Sequence, residues 1–189
     1  MSAGVAPRAN WFVALPVRIE HLEARVPPPP RSFRRFCPED LHATIAFLGA
    51  SGETLAVRAF EALPDALGPA VSVHLGAVVP MGRPSAYSAL SALVSEGRAP
   101  LEERMTDWRD RALEAAGFAR ESRPMKAHVT LARPSRRASA ADRAAGLAWA
   151  SSVDLHGLEV RLDRIALYTW DDARTERLFR IVCARPLAG

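Results

Sequence analysis

The sequence predicts an α+β fold built on antiparallel sheets, and three observations carry that expectation. Strand-like and helix-like segments are mixed rather than strictly alternating, and several connections between strands look like hairpins, which favours antiparallel pairing. One short pattern, His-x-Thr-aliphatic, occurs twice, as His42-Ala43-Thr44-Ile45 and His128-Val129-Thr130-Leu131, one copy per half of the chain. Finally, 189 residues, 49% of them apolar and 24% charged, suffice for a substantial core. One domain or two intimately packed lobes fit that length better than two independent domains.

Taken in order, Trp11 to Val17 is short and almost wholly apolar, as in a strand covered on both faces. Arg18 to Arg25 has the pattern of a brief helix, which Pro27-Pro28-Pro29-Pro30 ends and continues as an extended connector. Arg31, Arg34 and Arg35, spaced by Phe33 and Phe36, suit a solvated loop with two anchoring aromatics, or the skirt of a phosphate-binding cleft. The first His-Thr copy lies in a strand from Leu41 to Leu48, before Gly49. Ser51-Gly52-Glu53-Thr54 starts a helix whose stripe of Leu55, Ala59, Ala62 and Leu63 runs until Pro64.

Val71 to Val79 alternates as a strand. His74 lies within it without a threonine two residues on, which marks it as structural. Pro80 to Pro84 turns the chain, and Tyr87 to Val94 returns as the antiparallel partner. The longest helix is predicted from Pro100 to Ala116, with Leu101, Met105, Trp108, Ala112 and Leu113 at helical spacing and Gly117 as the stop. The second His-Thr copy follows in a strand from Ala127 to Ala132. Arg133-Pro134-Ser135-Arg136-Arg137 then makes a basic turn into an alanine-rich helix ending near Trp149. Leu158 to Trp170 and Arg177 to Arg185 form a long hairpin around Asp171-Asp172-Ala173-Arg174. His21 and His156 read as surface residues.

Composition narrows the function classes. No run of apolar residues is long enough for a membrane span, and the first residues lack the order of a signal peptide, so a cytoplasmic protein without membrane attachment is expected. Cys37 and Cys183 are the two cysteines, with no Cys-x-x-Cys spacing, so neither a disulfide framework nor a cysteine-rich zinc site is supported. The net charge is +4, and 24 of the 25 basic residues are arginine, which permits a polyanionic partner and suits forked contacts to phosphate. His-Glu-x-x-His, Gly-x-Ser-x-Gly, Walker and Rossmann patterns are absent, and no further ligands stand beside either histidine at the spacing a zinc site needs.

Side chains alternate along a strand, so the histidine and threonine of each copy share one face. Two imidazoles facing one substrate make a general acid and a general base near neutral pH. In-line displacement at phosphorus needs such a pair, one group taking a proton from the attacking oxygen while the other gives one to the leaving oxygen. If two similar lobes face each other across a pseudo-twofold axis, His42 and His128 converge on one cleft. The threonine hydroxyls then reach non-bridging oxygens.

At this point the chain resembles the two-histidine (2H) phosphoesterase superfamily, and within it the RNA 2′,3′-cyclic phosphodiesterase branch, also called the 2′-5′ RNA ligase family. Trp11 to Pro16 is similar to that family's opening strand. Pro38-Glu39-Asp40-Leu41-His42-Ala43-Thr44-Ile45-Ala46-Phe47-Leu48-Gly49 and Arg123-Pro124-Met125-Lys126-Ala127-His128-Val129-Thr130-Leu131-Ala132-Arg133 are similar to its two signatures, and Leu167-Tyr168 with the closing hairpin is also similar. The resemblance implies one bilobal domain over residues 1–189, with two antiparallel sheets and flanking helices related by pseudo-twofold symmetry around a central cleft.

It further implies a metal-independent enzyme without cofactors, a monomer, acting on RNA ends or small cyclic nucleotides to yield a 2′-phosphomonoester. The roles it implies are His42 as general acid, His128 as general base, Thr44, Thr130 and Arg133 on the phosphate, and Phe47 as a platform for the base. Phe47 and Arg133 each stand five residues after their histidine, where strict alternation gives the opposite face, so each strand must end, bulge or twist. A relative acting on another cyclic phosphodiester, RNA 2′-5′ ligation and a non-catalytic RNA-end binder are the alternatives. Ala127 stands where the family usually has proline, and Ala43 where it has a larger apolar residue. The proline-rich segment displaces much of the first helix.

Overall fold

The computed structural model describes residues 9–188. In chain order the strands are β1 (Trp11–Pro16), β2 (Phe33–Arg35), β3 (His42–Gly49), β4 (Val71–Met81), β5 (Ala89–Val94), β6 (His128–Pro134), β7 (Glu159–Leu162), β8 (Arg164–Trp170) and β9 (Phe179–Pro186). The helices are α1 (Leu22–Arg25), α2 (Glu53–Glu61), α3 (Arg98–Ala115) and α4 (Ala140–Ser152). Two antiparallel sheets result, one of four strands in the order β3-β1-β8-β9 and one of five in the order β2-β6-β5-β4-β7. The α+β antiparallel prediction holds.

All six residues of β1 are buried, as its apolar run requires of a strand with neighbours on both edges. From each His-Thr strand inward the sheets run in parallel fashion, β3-β1-β8-β9 against β6-β5-β4-β7. The second sheet adds β2 on the far side of β6, so β3 is an edge strand and β6 is not. α2 and α3 pack on the first sheet and α4 on the second. α3 thus arises between two strands of the second sheet yet covers β3 of the first, which interlocks the lobes.

Three local expectations are corrected. Phe33 to Arg35, expected as loop, is a strand paired with β6 from Pro134 to Ala132, because buried Phe33 packs on Tyr87 at one end and the Phe36 amide bonds the Leu131 carbonyl of β6 at the other. Leu158 to Trp170 is not one strand: the chain changes sheets at Asp163, β7 pairing with β4 and β8 with β1 and β9. The helix expected over Arg18 to Arg25 is a single turn from Leu22, since His21 takes a left-handed φ of 52° and breaks the entry. α3 matches its stripe, and Gly117 ends it at φ 76°, with the Phe118 amide closing on the Leu113 carbonyl at 2.8 Å. Ser139 and Asp142 form a reciprocal capping box on α4.

Candidate active site

Both His-Thr strands open on their histidine, and the two strands lie against each other where the sheets meet. In each, the imidazole is locked to the backbone two residues earlier: His42 Nδ1 lies 2.6 Å from the Asp40 carbonyl oxygen, and His128 Nδ1 lies 2.6 Å from that of Lys126. A carbonyl only accepts, so each Nδ1 carries the proton and each neutral ring presents Nε2 as a lone pair. The protein therefore sets the same tautomer at both histidines.

The pairing register explains how the fifth residue after each histidine reaches the site. Along β3, His42 pairs with Pro16, Thr44 with Ala14, and then Ala46 with Val13 and Phe47 with Phe12. Ile45 is left over as a bulge. Pro16, Ala14 and Phe12 share one face of β1, so His42, Thr44 and Phe47 share one face of β3. In β6, His128 pairs with Leu93, Thr130 with Ser91 and Ala132 with Leu90. Here Leu131 is left over, which returns Arg133 to the side of His128 and Thr130. The bulged residue is the aliphatic fourth position of the pattern in both strands, and both are buried.

The environments of the two imidazoles differ. His42 is buried, with Phe12 at 4.7 Å, Tyr168 at 5.3 Å and Phe179 edge-on at 5.5 Å between ring centroids. Desolvation in this aromatic cage pushes its pKa down to about 4, against the bond to Asp40, and the charges of Arg133 and His128 lower it further. His128 is more open, and its pKa is also lowered, first by burial, then by Lys126 and Arg133. Arg133 thus acts on both rings, and its guanidinium sits 5.5 Å over the Phe36 ring. Thr130 Oγ1 is 3.2 Å from the buried Ser91 hydroxyl, whereas the half-buried Thr44 hydroxyl bonds nothing among the described residues. Phe47 is 54% exposed, an apolar ring with no structural cover.

Several residues that hold this site were not singled out from sequence. The Asp40 carboxylate is buried and accepts the amides of Leu178 at 2.8 and 2.9 Å and of Phe179 at 3.0 Å, so the residue whose carbonyl orients His42 is itself tied to the start of β9. Glu102 of α3 accepts the Ala127 amide at 2.9 Å, fixing the chain just before His128. Glu102 uses the Ala127 N–H, which a proline at this position would lack. Ser91 carried no visible signal, being a polar residue in an ordinary strand. Asp40 had one, since an acidic residue two before a candidate histidine is placed to affect it.

His74 lies outside the site: it pairs with Glu96 at 3.3 Å. His21 and His156 are exposed. Among the described residues no cluster of three or more His, Cys, Asp or Glu side chains is arranged to hold a metal ion, and no helix is long and apolar enough to cross a membrane. Burial raises the pKa of Cys37 to about 11, leaving its thiol protonated beside the site.

No protein-family model matches the chain, and no curated protein matches its sequence. Solved structures do match in fold. E. coli LigT complexed with ATP superposes with a TM-score of 0.66 at 18% identity, covering 97% of this chain and 100% of that one. A protein described as a phosphoesterase gives 0.64 at 19% identity, with 97% and 100% covered. TT0787 of Thermus thermophilus gives 0.60 at 23% identity, with 95% and 98% covered. LigT has also been crystallised with NADP+ and with 3′-AMP. At these identities the likeness establishes a shared fold along the whole described chain.

Proposed function

We propose that the protein is a two-histidine phosphoesterase that hydrolyses a ribose 2′,3′-cyclic phosphate, at an RNA end or in a small nucleotide, to the 2′-phosphomonoester. One observation carries the reading: two imidazoles with the same Nδ1 lock and the same free Nε2 stand on abutting strands, with one arginine charge acting on both. The nucleotides bound by LigT, which shares the fold, support a phosphate-bearing ligand.

In this chemistry His128 Nε2 takes a proton from water as the water oxygen attacks phosphorus. The P–O3′ bond breaks and His42 Nε2–H protonates the departing O3′. Exchange with solvent then resets both rings. Thr44, Thr130 and Arg133 hold the non-bridging oxygens, and Phe47 receives the base. A general acid with a pKa of about 4 is neutral in the free protein at pH 7. Burial is the main cause of that low value, and the bound phosphodiester offsets it: its negative charge between Arg133 and the rings favours the protonated imidazoles and raises both pKa values.

The test is incubation with a 2′,3′-cyclic-phosphate oligonucleotide, with and without a chelator. The expected product is the 2′-monoester in both conditions. Binding without turnover leaves an RNA-end binder, turnover only of other cyclic phosphates moves the substrate class, and loss with chelator contradicts the metal-free chemistry.

A further inference from the structure

Beside His42 the first sheet carries a groove of about 700 Å³ that includes neither histidine in its lining, a volume in the range of a site that holds a ligand of its own. Tyr168 and Phe179, which form two walls of the His42 cage, also line this groove, and so does Leu41, the residue preceding His42. It therefore abuts the candidate active site, with Tyr168 and Phe179 between the groove and His42.

Four arginines line it, Arg18, Arg164, Arg177 and Arg180, against two carboxylates, Glu20 and Glu39. Arg177 is tied to Asp171 at 2.5 Å, and Arg180 lies 3.8 Å from Asp172. Arg18 and Arg164 pair with no carboxylate among the described residues. The Nε groups of Arg164 and Arg180 are buried without a hydrogen-bond partner there, which leaves two buried donors of the groove unmet. Ile181, also in the lining, is 42% exposed. Unpaired cations beside exposed apolar surface and an aromatic ring are what a single-stranded nucleic acid needs, cations for its backbone and apolar faces for its bases.

We propose that this groove binds the single-stranded RNA segment that precedes the terminal cyclic phosphate, so that the enzyme prefers oligonucleotide ends to mononucleotides. The proposal rests on the phosphoesterase reading above and adds the direction in which the chain leaves the site. Arg18 and Arg164 take backbone phosphates, and Phe179 and Ile181 face the bases.

The experiment compares kcat/KM for a nucleoside 2′,3′-cyclic phosphate and for a four-nucleotide RNA ending in the same group, in the wild type and in the double variant Arg18→Gln/Arg164→Gln. A second measurement follows binding of a fluorescent single-stranded RNA by anisotropy against salt. The wild type is expected to favour the four-nucleotide substrate about tenfold, the worth of two charge-assisted phosphate contacts. The double variant loses that gain, keeps mononucleotide kcat/KM within about twofold, and lowers the salt slope of RNA binding by about 1.4. Arg58→Gln/Arg83→Gln, equal in charge and outside the groove, leaves the length preference intact. Equal kcat/KM for both substrates in the wild type overturns the proposal, as does a double variant that keeps the full preference and slope. If neither substrate is hydrolysed but RNA binding still depends on Arg18 and Arg164, the phosphoesterase reading falls and the groove stands.

Discussion

The two histidines carry equivalent locks but unequal surroundings, and their substitutions separate accordingly. His42→Ala and His128→Ala are each expected to lower kcat by about 10² to 10⁴ with KM little changed, since each removes a proton transfer made only in the transition state. His74→Ala, lost from a surface pair with Glu96, leaves kcat unaltered. A substrate with a leaving group that needs no proton restores much of the activity of His42→Ala and none of that of His128→Ala; the opposite pattern reverses the roles. The pH profile is a second outcome at this scale. The kcat/KM profile reports the free protein, in which one histidine sits at about 4 and the other below its ordinary value. One ring must be protonated and the other not, so kcat/KM peaks below about pH 6.5 and falls as pH rises through neutrality. The kcat profile reports the complex, where bound phosphate raises both rings, and peaks at higher pH. A kcat/KM still rising through pH 7.5 contradicts this assignment.

At the scale of elements, each His-Thr strand is held at its entry by a carboxylate, Asp40 just before β3 bonded to the start of β9 and Glu102 reaching from α3 to the residue before β6. Ala127→Pro removes the amide that Glu102 accepts. It is expected to lower stability by about 1 to 3 kcal/mol in urea unfolding, and by much less in a Glu102→Ala background, where the partner is already gone. Gly146 marks a different kind of contact, since a Cβ there overlaps the Phe33 and Tyr87 side chains where α4 closes on the second sheet. Gly146→Ala should cost about 1 to 3 kcal/mol despite alanine's better helix propensity, read as a lower Tm. These elements also show what the chain reveals in advance. His42, Thr44, His128 and Thr130 were legible because period-two alternation puts them on one face and because the pattern repeats. Phe47 and Arg133 needed a bulge that no composition rule places, and only the strand register, which leaves Ile45 and Leu131 without partners on β1 and β5, shows it. β2 was missed because three residues with two arginines carry almost no alternation, and the break at Asp163 because Glu159, Arg161 and Asp163 form one unbroken period-two alternation that does not announce a change of sheet.

For the molecule as a whole, the strands do not sort by sequence half. β2 crosses to the second sheet, β8 and β9 return to complete the first, and α3 bridges from one to the other. A single cooperative unfolding transition is therefore expected, the same by near-UV and far-UV circular dichroism, and a chain cut between Glu96 and Gly97 should yield no independently folded half. Two resolved transitions would show that the lobes fold separately. The paired bulges carry a consequence for handedness. A site built from two like strands is nearly blind to which way round a ligand enters, because rotating the ligand by half a turn exchanges one His-Thr pair for the other. The bulges break that ambivalence by delivering unlike groups from like positions, an exposed aromatic ring from β3 and a guanidinium from β6. Under the proposed phosphoesterase reading these two side chains add to the asymmetry that selects which ribose oxygen departs, so exchanging Phe47 and Arg133 is expected to alter regiochemistry while leaving both histidines in place.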